Sequence, residues 1–128
     1  MDEWSVEMPG SPSIVPLART WVREILKDFP ADLVDDVALI ASELTTNAVR
    51  HSIAANGDAV QLRVTRSTGR LRLEVSDGGP RTDPEDGWTE EEIGNFGRGL
   101  HIVAELASEM GDDITAGGGR RAWAELTT

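Results

Sequence analysis

Apolar and polar positions follow two periods along this chain, and each change of period marks an element. Residues 3–8 alternate weakly, as an edge strand does, before Pro9, Gly10 and Pro12 break the run. From about Ser13 to Asp28, Ile14, Leu17, Trp21, Ile25 and Leu26 recur at helical spacing, and Pro30 closes the segment. A second helix is predicted from about Asp32 to His51, with Asp32 as N-cap and Leu33, Val37, Ile40, Ala41, Leu44 and Ala48 on one stripe. Residues 59–66 (AVQLRVTR) and 70–76 (RLRLEVS) switch to period two, and Ser67, Thr68 and Gly69 between them predict a hairpin. A third helix is expected from about Leu100 to Met110, with Leu100, Val103, Leu106, Ala107 and Met110 on one face. Two short strands, near 112–116 and 121–127, follow around Gly117, Gly118 and Gly119. Two hairpins with grouped helices predict an α+β fold, a sandwich with helices covering one face of the sheet.

One stretch obeys neither period. Residues 78–97, GGPRTDPEDGWTEEEIGNFG, are rich in glycine, proline and acid, and such a stretch inside a small domain signals function or disorder. Trp4, Trp21 and Trp123 read as packing residues, whereas Trp88 lies inside this acidic loop, where it could cover a ligand or a partner. The loop's acids are most simply a solvated surface.

Length and charge narrow the classes. At 128 residues, with no internal repeat and no linker, the chain reads as a single domain over 1–128. Its net charge of -11 argues against a general nucleic-acid binder, which needs a basic face. The absence of cysteine excludes a disulfide framework, a thiol nucleophile and a cysteine zinc site. His51 and His101 are too few for a histidine metal cluster. No run approaches a membrane span, and the acidic start lacks the pattern of a signal peptide, so a cytoplasmic location without membrane contact is expected. Lys27, in ILKDFP, is the only lysine, which rules out a P-loop: a bound nucleotide must be held by another design.

Three fragments could carry chemistry. In the second helix, Glu43 and Asn47 lie one turn apart on a face bordering the apolar stripe. An amide oxygen there could ligate Mg²⁺ and a carboxylate could serve as general base, or the two could be an ordinary polar pair on a helix surface. His51, at the end of that helix, reads first as a packed, hydrogen-bonded histidine. Asp77 ends an alternating strand and is followed by Gly78 and Gly79. Its carboxylate could accept from an exocyclic amine while Gly79 lets a ring approach the backbone, or the fragment is a strand-ending turn. Gly97-Arg98-Gly99-Leu100 opens the third helix, where free backbone N–H groups can hold phosphate. It is not the dinucleotide fingerprint, because Ile102 stands where a third glycine would fall and no strand precedes it.

Taken together and in order, ELxxNAxxH on a helix, DxG ending a strand and GxGL opening a later helix resemble the N, G1 and G2 boxes of the GHKL ATPase superfamily. Ala18-Arg19 in the first helix, GRGLHIV and the terminal AWAEL further resemble the anti-sigma-factor serine kinases and their actinobacterial relatives, over about residues 4–127. The resemblance implies the Bergerat ATP-binding fold: a mixed, mostly antiparallel sheet under three helices. It implies ATP and Mg²⁺ as ligands, with Asn47 on the metal and Glu43 as the catalytic base that deprotonates a partner's serine. Asp77 would bind the adenine amine above Gly79, residues 80–96 would form the lid, and Gly97, Arg98, Gly99 and Leu100 would hold the phosphates. The implied partners are a sigma factor and an anti-anti-sigma protein of the STAS class, met through a surface including Arg19, and the implied assembly is a homodimer. The sequence departs from the family at three places. Arg81, after Pro80, stands where the G1 box usually has a second glycine. Gly119-Arg120-Arg121-Ala122 replaces a stretch that in kinase relatives usually carries a threonine near the adenine. Asn95 stands where some kinases have an arginine, while Arg98 lies between the G2 glycines. These departures keep open an alternative: a binding module that sequesters a partner, with ATP as a conformational ligand only.

Overall fold

Alternation decides which side of each strand meets the helices. In the hairpin of β2 (Val60–Ser67) and β3 (Arg70–Asp77), Val60, Leu62 and Val64 share the buried face with Leu71, Leu73 and Val75. The same period puts Asp77, at the end of β3, on the buried face beneath the helices. Thr68-Gly69 makes the turn, and Gly69 has φ of 74°, a conformation that side chains with a Cβ rarely adopt. The computed structural model describes residues 2–54, 59–77, 101–114 and 119–128.

The remaining strands complete one five-stranded sheet of order β1-β2-β3-β5-β4, with β1 at Asp2–Met8, β4 at Glu109–Ile114 and β5 at Arg120–Thr127. All four pairings are antiparallel. Two long helices, α1 (Ile14–Ile25) and α2 (Ala31–Ala54), cover one face, and residues 101–106, here α3, are helical as well. The helix-covered α+β sandwich expected from the periodicity is the fold observed.

The helices differ in detail from the pattern expected of them. The buried stripe of α1 is Ile14, Ala18 and Val22, continued by Leu26 just past its end; Leu17 is 52 % exposed and Trp21 and Ile25 are only partly buried. Counting the bulky residues rotates the stripe away from the small, fully buried Ala18. Helix α2 begins one residue before Asp32. The Pro30 carbonyl accepts the first helical bond, from the Val34 N–H at 3.0 Å, so Asp32 is a first-turn acid favoured by the helix dipole rather than the N-cap. The predicted stripe of α2 is buried or half-buried, with Val34, Ala38 and Val49 widening it, because α2 packs against α1 on one side and the sheet on the other.

The third helix ends sooner than expected. After the Ala107 N–H bonds the Val103 carbonyl at 2.9 Å, the Ser108 N–H turns to the Glu125 carbonyl at 2.7 Å, and the chain joins the sheet as β4. Met110 therefore lies on a strand, not on a helix face, and β4 starts before residue 112.

The face without helices is a charge lattice. Arg63 pairs with Glu3 at 3.2 Å, and Arg72 with Glu74 at 2.8 Å and Glu125 at 3.0 Å. The side chains of Glu74 and Glu125 are only 16 % exposed. The Arg72 guanidinium also lies 4.2 Å from the ring centre of Trp123, and the indole rests on Gly111 of β4.

Candidate functional site

Helix α2 sorts its polar side chains in two ways. Ser42, Thr45 and Thr46 return their hydroxyl protons to their own helix: Ser42 to the Ala38 carbonyl at 3.2 Å, Thr45 to Ala41 at 2.6 Å and Thr46 to Ser42 at 2.7 Å. Asn47, one turn beyond Glu43, is 7 % exposed, and among the described residues no hydrogen-bond partner reaches its carboxamide. A buried amide left unpaired costs about 1–3 kcal/mol, and no described residue offsets that cost at Asn47.

Asn47 lines a pocket of about 160 Å³ between α2 and the end of the sheet. Leu44 and Ala48 of α2, Val75 of β3, Met110 of β4 and Ala122 of β5 give it apolar walls. Its other polar groups are Asp77, Asp112 and Arg120. Asp77 is 4 % exposed, and its Oδ1 accepts the Arg120 backbone N–H at 3.5 Å. Arg120 Nε lies 3.4 Å from Asp112 Oδ2. A flat, weakly polar ring could enter between such walls, with its polar edge toward the carboxylate. Among the described residues no cluster of three or more metal-ligating side chains occurs. The donor set at hand, one amide oxygen, matches a hard cation that takes one or two protein oxygens and completes its shell with phosphate and water.

The structure therefore brings Asn47 and Asp77 together from α2 and β3. Glu43 is half-buried one turn before Asn47 and does not line the pocket. Arg19 is exposed on α1, also outside the pocket lining. Gly79, Arg81, Trp88, Gly97, Arg98, Gly99, Leu100 and the lid over 80–96 lie outside the described residues. Asp112 and Met110 were not among the site residues expected. Period two could have placed Arg120, since Arg120, Ala122, Ala124 and Leu126 share one face of β5. Among the described residues no helix is long and apolar enough to cross a membrane.

The fold thus sets a helix-borne amide and a strand-end carboxylate on one pocket. Residues 8–125 match the family described as histidine kinase-like ATPase domain, and the chain belongs to that family. Among curated proteins it is similar to blue-light-activated histidine kinase 2 of Erythrobacter litoralis (strain HTCC2594), with 36% identity over 96 residues. That match covers 71% of this chain and 26% of the relative, so the chain spans about a quarter of the relative's length.

Proposed function

We propose that this chain is a Mg²⁺-ATP-binding regulatory domain of the anti-sigma kinase type, transferring the γ-phosphoryl group to a serine of a STAS-class partner, sequestering a sigma factor, or both. The observation that carries the reading is Asn47: a buried carboxamide with no partner among the described residues, facing a pocket it shares with Asp77. Asn47 Oδ1 would ligate the metal and Asp77 would accept the adenine amine. When bound, Mg²⁺ supplies neutralisation of phosphate charge. Gly97, Arg98, Gly99 and Leu100 would hold the phosphates at the start of α3. Glu43 would take the proton of the serine hydroxyl as its Oγ bonds the γ-phosphorus and the bond to the β-phosphate oxygen breaks, releasing ADP. Arg19 and the exposed Leu17 on α1 offer a surface for the partner, and a homodimer is the assembly this reading carries.

A second reading, the binding module that uses ATP only as a conformational ligand, is favoured by Glu43 standing outside the pocket lining. Incubation of the chain and a purified STAS-domain protein with Mg²⁺-ATP separates the two. The kinase reading expects an acid-stable phosphoserine on the partner, lost in Glu43→Ala while ATP binding persists. An acid-labile phosphate would point instead to a histidine acceptor, as in the name of the histidine kinase relative. Intact ATP binding without transfer would leave the binding module.

A further inference from the structure

The buried carboxylate of the pocket is tied to a strand whose own anchor lies on the other side of the sheet. Asp77 Oδ1 accepts the Arg120 backbone N–H at 3.5 Å, the outer limit of such a bond. A small shift of the start of β5 therefore decides whether that bond is kept. The next residue ties this part of β5 to both of its neighbours. Arg121 stands opposite Ser76 of β3, the residue before Asp77, and opposite Asp113 of β4. By strand alternation its side chain shares the helix-free face with Trp123, and it does not line the pocket. There Nε donates to Asp113 Oδ1 at 3.0 Å and Nη2 to Oδ2 at 2.9 Å.

Two parallel bonds from a planar guanidinium fix direction as well as distance. Both side chains are more than a third exposed, so the pair contributes little to stability as such. What the fork does is geometric: it locks β4 to β5 in register, one residue from the N–H that reaches Asp77. Among the described residues β5 is the only strand paired with β4, so this lock also sets where Met110 and Asp112 stand in the pocket wall. We propose that Arg121, forked onto Asp113, is a positioning residue for the base: it holds the start of β5 so that the Arg120 N–H keeps the Asp77 carboxylate oriented toward an exocyclic amine. The proposal rests on the nucleotide reading of the site and deepens it.

Purine riboside triphosphate is the direct probe, because it differs from ATP only in carrying hydrogen where ATP has its exocyclic amine. Calorimetric titrations of the full chain, Arg121→Ala and Arg121→Lys with the Mg²⁺ complex of each nucleotide measure the preference for the amine. Thermal unfolding of each variant, read alongside, establishes that it is folded and is expected to move little. The wild-type chain is expected to prefer ATP by about tenfold, the scale of a hydrogen bond to a charged group. Arg121→Ala is expected to lose about threefold toward ATP and less toward the analogue, so that the preference narrows. Arg121→Lys keeps the charge without the fork, and its preference should narrow likewise. A preference unchanged in folded Arg121→Ala, equal losses toward both nucleotides, or full retention in Arg121→Lys overturns the proposal. A wild-type chain that binds neither nucleotide, or binds both equally, overturns instead the nucleotide reading or the role of Asp77 beneath it.

Discussion

At the scale of single residues, Asn47 separates stability from function. If its carboxamide is kept for a metal rather than for the fold, removing it takes away a buried group that no described residue satisfies and adds helix propensity. Asn47→Ala is then expected to leave the ligand-free protein as stable or more stable by up to about 1 kcal/mol, read by chemical denaturation. The same variant should lose the Mg²⁺-dependent part of ATP affinity. A destabilisation of about 2 kcal/mol with metal dependence intact would make Asn47 a structural group. The i, i+4 relation of Glu43 and Asn47 was legible in the sequence, because helical geometry fixes it. That Asn47 is buried and Glu43 only half so was not, since this depends on where α2 crosses the sheet. Arg120 was readable in principle from its shared face with Ala122. Its meeting with Asp112 required the β4–β5 register, which no local pattern contains.

Among elements, β4 is the most exposed to perturbation: among the described residues β5 is its only strand partner, yet it supplies Met110 and Asp112 to the pocket. Trp123 packs on it from the opposite face, and a Cβ at Gly111 would lie 2.8 Å from the indole Cζ2. Gly111→Ala must displace either the indole or the strand. It is expected to cost about 1–3 kcal/mol and to weaken nucleotide binding together with stability, measured by unfolding and titration on the same sample. Wild-type values in both would show that the contact is slack. Near the end of the same strand, Asp113 accepts from Arg121 Nε and Nη2 at 3.0 Å and 2.9 Å, and these bonds hold its carboxyl below the usual aspartate range. A depressed folded value means the pair contributes above the unfolded value of ~3.9 and that contribution is lost as pH falls through the lower folded one. An NMR titration should find Asp113 with a midpoint below ~3.9, returning toward it in Arg121→Ala; an ordinary midpoint in the wild type would contradict the pairing. The strands of the central hairpin were legible because period two meets a half-buried sheet with few exceptions. The end of α3 was not: Met110 fits a helical stripe, and only the bond from Ser108 to Glu125 across the sheet decides for β4.

At the scale of the whole molecule, the two faces of the sheet divide the labour. One carries ion pairs around Arg72 and Trp123, and the other buries the core and ends in a pocket beneath α2. The α+β sandwich could be expected from periodicity because helices and hairpins cluster along the chain. The family was legible from three short boxes whose order and spacing no one of them carries alone. Its match over residues 8–125 agrees with that expectation, while the phosphate-holding glycines fall outside the described residues. The central claim is that Asn47 and Asp77 form one nucleotide site. Its most direct test is calorimetric titration of the purified chain with ATP, with and without Mg²⁺, beside Asp77→Asn under the same conditions. Micromolar binding is expected, requiring Mg²⁺ for full affinity and weakened by about tenfold or more in Asp77→Asn without unfolding of the protein. A folded chain that binds no ATP, or binds it equally well without the Asp77 carboxylate, would contradict the claim.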